Sequence, residues 1–286
     1  MGFNSTAIRF FLASKPFIPE MTNTLTLGRQ SFTPTIWMLS RLKREKLIST
    51  SKRLTYADDF FRCSGVKQLD CLDFSSYEGA NILHDLGDPI PSELYAKYDL
   101  VIDAGTLEHV PDFLSALKNT MAMVKVGGTL MIIAPANNFL GHGCYQLSPE
   151  IFHRVLGMDQ GFKIRISYLH EDGPFGGRWR NVQDSKVVNT RVSISTKRAT
   201  FICILAERVS FEKGVVGNQS DYENLWNETP KITKLGSVYL RSPYFLQRLA
   251  YLLVLKRMYA NRSKKTLQKV RTSGFLRLPH FHELDA

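Results

Sequence analysis

Apolar runs of strand length alternate with stretches of helical period along the first two hundred residues of the chain. The clearest run lies in Tyr98-Asp-Leu-Val-Ile-Asp-Ala-Gly-Thr-Leu-Glu-His-Val110, where Leu100, Val101 and Ile102 predict a strand over 99–104 buried on both faces. Gly105 ends it, and Thr106 is expected to cap the helix that follows, with Phe113, Leu114, Leu117 and Met121 on one face. Further strands are predicted over 24–28, 66–70, 80–84, 129–134, 162–169 and 199–206. Helices are expected after Asn4 or Ser5, after Pro34 and after Ser148, where Pro149 and Glu150 suit the first turn. Strands alternating with helices predict an α/β fold with a doubly wound, mostly parallel seven-stranded sheet, the last two strands forming an antiparallel edge. The pattern divides the chain into an N-terminal helix over 1–20, the α/β domain over 21–209, and an irregular linker with a basic helical extension over 210–286. The polar stretch 171–197 is long for a connection and reads as a lid or partner surface.

Charge changes the picture only at the end. Of the net +11, about +8 falls after Leu240, where ten Lys and Arg face only Glu283 and Asp285. Tyr244, Phe245, Leu246, Leu249, Leu252, Leu253 and Leu255 give that segment an apolar helical face. Residues 240–272 are therefore expected to dock on the body, on a protein partner or on an anionic membrane surface. Nucleic acid is not favoured, because no recognised module accompanies the charge. Cys63, Cys71, Cys144 and Cys203 stand apart without a C-x-x-C pair. A reducing, cytoplasmic setting is the expectation, with no metal site and no disulfide framework. There is no apolar run of membrane-spanning length and no secretory leader pattern.

The stretch Tyr98 to Val110, followed by Ala116-Leu117 and by Val124-Lys-Val-Gly-Gly-Thr-Leu-Met-Ile-Ile-Ala-Pro135, resembles a class I S-adenosylmethionine-dependent methyltransferase. The likeness covers about residues 23–207 and implies a Rossmann-like sheet with S-adenosylmethionine across the carboxyl ends of its first four strands. Position by position, it implies Gly28 and Arg29 in the first loop and Asp70 at the end of strand two, with Asp73 as its substitute, accepting from ribose hydroxyls. It places Asp85 and Leu86 around adenine, and Asp103 and Ala104 beside the methionine and the transferring methyl. The chain departs from the family in that first loop. Leu27-Gly-Arg-Gln-Ser31 carries one glycine where the family has several, and no helix fits between Asp70 and Ala80.

Methyl transfer needs alignment and, for a hydroxyl acceptor, a proton acceptor. His109, beside the expected methyl, and His142, in Gly141-His-Gly143, are the candidate catalytic bases, with Tyr145 and Asn137 as orienting groups. Glu108 reads as a wall or cap residue and His153 as structural. The acceptor class that fits is a small molecule or a glycan. The alternative is a non-catalytic binding or assembly protein on the same fold, its glycine-poor loop no longer holding cofactor.

Overall fold

The computed structural model describes residues 2–49, 54–173, 176–188, 194–211 and 243–250, with short strands at 267–269, 272–273 and 278–279. In chain order the elements are β1 (Phe3–Asn4), α1 (Ser5–Ser14), β2 (Asn23–Leu27), β3 (Phe32–Thr33), α2 (Ile36–Arg44) and α3 (Asp58–Cys63). They continue with β4 (Gln68–Asp73), β5 (Ile82–Leu83), β6 (Tyr98–Asp103), α4 (Phe113–Met123), β7 (Val124–Asn137) and α5 (Pro149–Val155). The body ends with β8 (Phe162–Glu171), β9 (Arg178–Val182), α6 (Ser185–Val188) and β10 (Thr200–Arg208), followed by α7 (Tyr244–Ala250) and β11 (Leu267–Lys269).

One sheet holds the body, in the order β11-β9-β8-β10-β7-β6-β2-β4-β5. From β5 to β7 the strands are parallel, and β10 runs antiparallel between β7 and β8. The seven expected strands are all present. The sheet is wider than expected because β9 and β11 extend it beyond β8. The stretch read as a lid over 171–197 is therefore partly sheet: β9 pairs with β8, burying Trp179 and Val182.

Both faces of the parallel strands are covered, which is why their apolar residues are consecutive. Leu25, Leu27, Val101, Leu130 and Ile132 point to one core with Phe113, Ala116 and Leu117 of α4. Leu100, Ile102, Met131 and Ile133 point to a second core with Phe10 and Phe11 of α1 and Phe60 and Phe61 of α3. The N-terminal helix is thus a layer of the domain. Asn4 caps it, accepting from the Thr6 and Ala7 amides, and the Thr6 hydroxyl meets Nδ1 of buried His170 on β8 at 3.1 Å.

Two expectations at the first strands need correction. β4 runs on to Asp73, so Asp70 lies within the strand, paired opposite Leu25, and does not end it. Thr106 does not cap a helix. Leu107–His109 form a single 3-10 turn, and α4 begins at Phe113, capped by Asp112. The link from β4 to β5 carries no helix, in line with its shortness in the sequence. The expected long apolar helix after Tyr244 is described only to Ala250, where Phe245, Leu246 and Leu249 are exposed. The rest of that expectation, Lys264 and Lys265 included, lies outside the described residues. No helix among the described residues is long and apolar enough to cross a membrane.

Candidate functional site

From β2 the chain builds outward to β4 and β5 on one side and to β6 and β7 on the other. The carboxyl ends of β2 and β6 therefore frame the switch point, where ligands bind in open α/β sheets. Gly28 leaves β2 with φ +68°, a conformation that disfavours any side chain. Its amide donates to the Leu72 carbonyl at 2.7 Å. A Cβ there would lie 3.0 Å from Oγ1 of Thr106 and 3.7 Å from Oδ2 of Asp73, so the two sides of the crevice meet over Gly28. Asp73, now the residue that ends β4, uses Oδ1 to accept from the Ser75 amide.

Across the crevice Asp103 ends β6 fully buried, its Oδ1 accepting from the Thr106 amide at 2.9 Å and the Leu107 amide at 3.3 Å. Burial raises its carboxyl above the usual range, and those amides oppose the rise. The Thr106 hydroxyl donates to the Leu27 carbonyl at 2.7 Å. The Gln30 amide donates to the same carbonyl at 2.7 Å and to that of Gly28 at 3.3 Å. The Ala104 carbonyl accepts from the Gly2 amide. The chain's own groups thus occupy several backbone acceptors at the strand ends.

A second cluster stands on the turn after β6. Glu108 is fully buried, and neither carboxylate oxygen has a hydrogen-bond partner among the described residues. His142 arrives from the distant 138–147 loop because the Glu108 carbonyl accepts from the amides of Cys144 and Tyr145. Gly143, with φ +70°, permits this approach, since a Cβ would stand 2.9 Å from that carbonyl. Oε1 of Glu108 lies 3.8 Å from Nε2 of His109 and 3.6 Å from Nε2 of His142. The two rings meet edge to face at 5.1 Å. Burial lowers both imidazoles below their ordinary value, His109 also through His142, so they are neutral near pH 7.

The other expected residues lie elsewhere. Arg29 turns from the crevice to the Glu78 carbonyl and Asp58, over the Tyr56 ring, beside a cavity of about 250 Å³ that Cys71 and Asn81 also line. Asp70 accepts from Tyr98, Asn81 and Lys97. Asp85 is exposed and accepts from the Gly87 amide, whereas Leu86 is buried in the core with its carbonyl on Asn119. Asn137 donates to Thr196, and the Tyr145 hydroxyl to the Pro111 carbonyl. His153 is buried against Ser167. Sequence reasoning missed the lone buried carboxylate of Glu108 and its meeting with His142. The only signal was the glycine pair around His142.

The parallel strands and the antiparallel pairing of β8 with β10 agree with the doubly wound, mostly parallel sheet expected from the alternation of strands and helices. The fold is a Rossmann-like α/β sheet. No protein-family model matches the sequence, and neither does any curated protein. Among solved structures, the chain is similar to a protein of Bacillus halodurans described as a candidate methyltransferase, with 9% identity and TM-score 0.43, over 70% of this chain and 99% of that one. It is similar to the 1,6-didemethyltoxoflavin-N1-methyltransferase of Burkholderia thailandensis, solved with S-adenosylhomocysteine: 10% identity, TM-score 0.40, over 72% and 79%. A branched-chain polyamine synthase of Thermus thermophilus, solved with 5'-methylthioadenosine, matches at 16% identity and TM-score 0.39, over 76% of this chain and 60% of that one.

Proposed function

We propose that the chain binds S-adenosylmethionine in the crevice between β2 and β6 and transfers its methyl group to a small-molecule or glycan acceptor. The observation that carries this reading is the convergence of Gly28, Asp73 and Asp103 at the switch point of the sheet. Gly28 gives close backbone approach, and Asp73 replaces Asp70 as the group for the ribose hydroxyls because it ends its strand. Bound there, the cofactor supplies an electrophilic methyl on a sulfonium. Asp103 holds the turn that shapes the methionine end, through its bonds to the Thr106 and Leu107 amides. His109 and His142, neutral and half exposed, stand just beyond as acceptors for the proton of a hydroxyl.

A second reading, a non-catalytic protein on the same fold, is favoured by one specific feature. The carbonyls of Leu27, Gly28 and Ala104 already accept from Thr106, Gln30 and Gly2. Calorimetric titration with S-adenosylmethionine and S-adenosylhomocysteine separates the two. Binding that Asp73→Ala weakens and Gln30→Ala strengthens supports the cofactor reading. Absence of heat in both the native chain and Gln30→Ala supports the non-catalytic one.

A further inference from the structure

We propose that Glu108, His109 and His142 form a binding site for a divalent first-row transition ion, with zinc as the simplest occupant. The donor set is two imidazoles and one carboxylate, a combination that binds such ions and leaves coordination positions open. One donor atom from each residue falls within 4.8 Å of the others. About 2.0–2.2 Å from a tetrahedral zinc, ligand atoms are roughly 3.3–3.6 Å apart. The separations of 3.6 and 3.8 Å from Oε1 of Glu108 are close to that, and modest rotation of the two partly exposed rings closes the rest.

An independent observation points to a ligand. A carboxylate with no exposed surface and no hydrogen bond is costly unless a proton or a cation neutralises it. Nε2 of His142, also without a hydrogen-bond partner, faces the same oxygen. The backbone is built to hold this geometry. The Glu108 carbonyl anchors the loop that delivers His142, through a glycine that a side chain could not replace. Oε1 of Glu108 and Nε2 of His142 are buried while both rings keep an exposed side, so the ion would sit just beneath the surface with its remaining positions open. They suit water or an oxygen ligand. With the ion present the imidazole lone pairs belong to it, and a hydroxyl acceptor would be held and acidified on the metal instead.

The site does not depend on the cofactor reading and is tested without S-adenosylmethionine. The full chain, stripped with chelator and dialysed, is titrated calorimetrically with zinc, and with cobalt(II) followed by its visible absorption. The expected result is one ion per chain, with affinity falling at least about 10-fold in Glu108→Gln and in His142→Ala, and unchanged in His84→Ala. Should Glu108→Gln fail to fold by circular dichroism, His142→Ala decides alone, because its side chain is partly exposed. No stoichiometric binding, or binding that survives His142→Ala, overturns the site; the second outcome would place the ion elsewhere, for example on His280 and His282.

Discussion

The Tyr98 hydroxyl donates to Oδ2 of Asp70 over 2.9 Å, reaching from β6 past β2 to β4. Asp70 is therefore a tie across three strands. Burial works against its ionised form, but bonds from Asn81, Tyr98 and Lys97 prevail and hold the carboxyl below its usual range. The native state thus binds a proton less readily than the unfolded chain. The stability Asp70 contributes is present above the ordinary aspartate value and is lost as pH falls through the lowered one. Tyr98→Phe should cost about 1–3 kcal/mol in urea unfolding and leave cofactor affinity unchanged. Loss of cofactor affinity without loss of stability would return Asp70 to the ligand site.

Gly28→Ala should destabilise the chain by about 1–2 kcal/mol, because φ +68° disfavours an L side chain. The new methyl would also press on Thr106 Oγ1 and disturb its bond to the Leu27 carbonyl. A thermal melt gives the cost, and calorimetry with S-adenosylmethionine gives the effect on the crevice.

His170 should make the protein sensitive to mild acid. Its Nε2 bonds the Gly176 carbonyl, and Nδ1 meets the Thr6 hydroxyl, a pattern that a neutral ring satisfies on both sides. Burial pushes its value from 6.5 to about 4. Between those values the unfolded state takes up a proton that the folded state refuses, so stability is intact above 6.5 and falls as pH drops toward 4. The loss is on the order of 3 kcal/mol. Urea midpoints measured across this range should drop less steeply in His170→Gln than in the native protein.

Arg208 should be irreplaceable by lysine. From the end of β10 its Nη1 donates to the Met121 carbonyl at 2.7 Å and the Val124 carbonyl at 3.1 Å, closing the C-terminus of α4. Its guanidinium also lies over the Phe211 ring. Arg208→Met removes both bonds, leaving the Met121 carbonyl with only the Val124 amide, and should cost about 1–3 kcal/mol by chemical denaturation. Arg208→Lys should recover only part, since an ammonium lacks the planar fork.

The parallel half of the sheet was legible because burial on both faces leaves a plain mark, as in Leu100-Val101-Ile102. The first helix was legible with its cap narrowed to Asn4 or Ser5, and Asn4 is the residue that caps it. β9 was not, since Arg178-Trp-Arg-Asn-Val182 buries only two of five side chains and the remaining polar residues read as loop. The end of β4 was misplaced by a polar residue: Asp70 looked like a boundary, but tertiary partners let a carboxylate sit inside a strand. At the site, the position of Asp103 at a strand end followed from local pattern, whereas Gly28 entered only through the family resemblance. The meeting of Glu108 with His142 depends on a loop anchored by backbone hydrogen bonds, and no local period records such a contact.

The position of β10 between β7 and β8 also governs how the molecule can be made. A nascent chain that has not yet delivered residues 200–208 holds β7 as an unpaired edge, and the β8–β9 hairpin has no place in the sheet. The last strand of the body is a keystone inserted from the side, so assembly cannot proceed smoothly from one end to the other. Chains stalled before that point expose two complementary edges, each able to recruit the wrong partner. Vectorial synthesis thus leaves its most hazardous interval just before the body is complete.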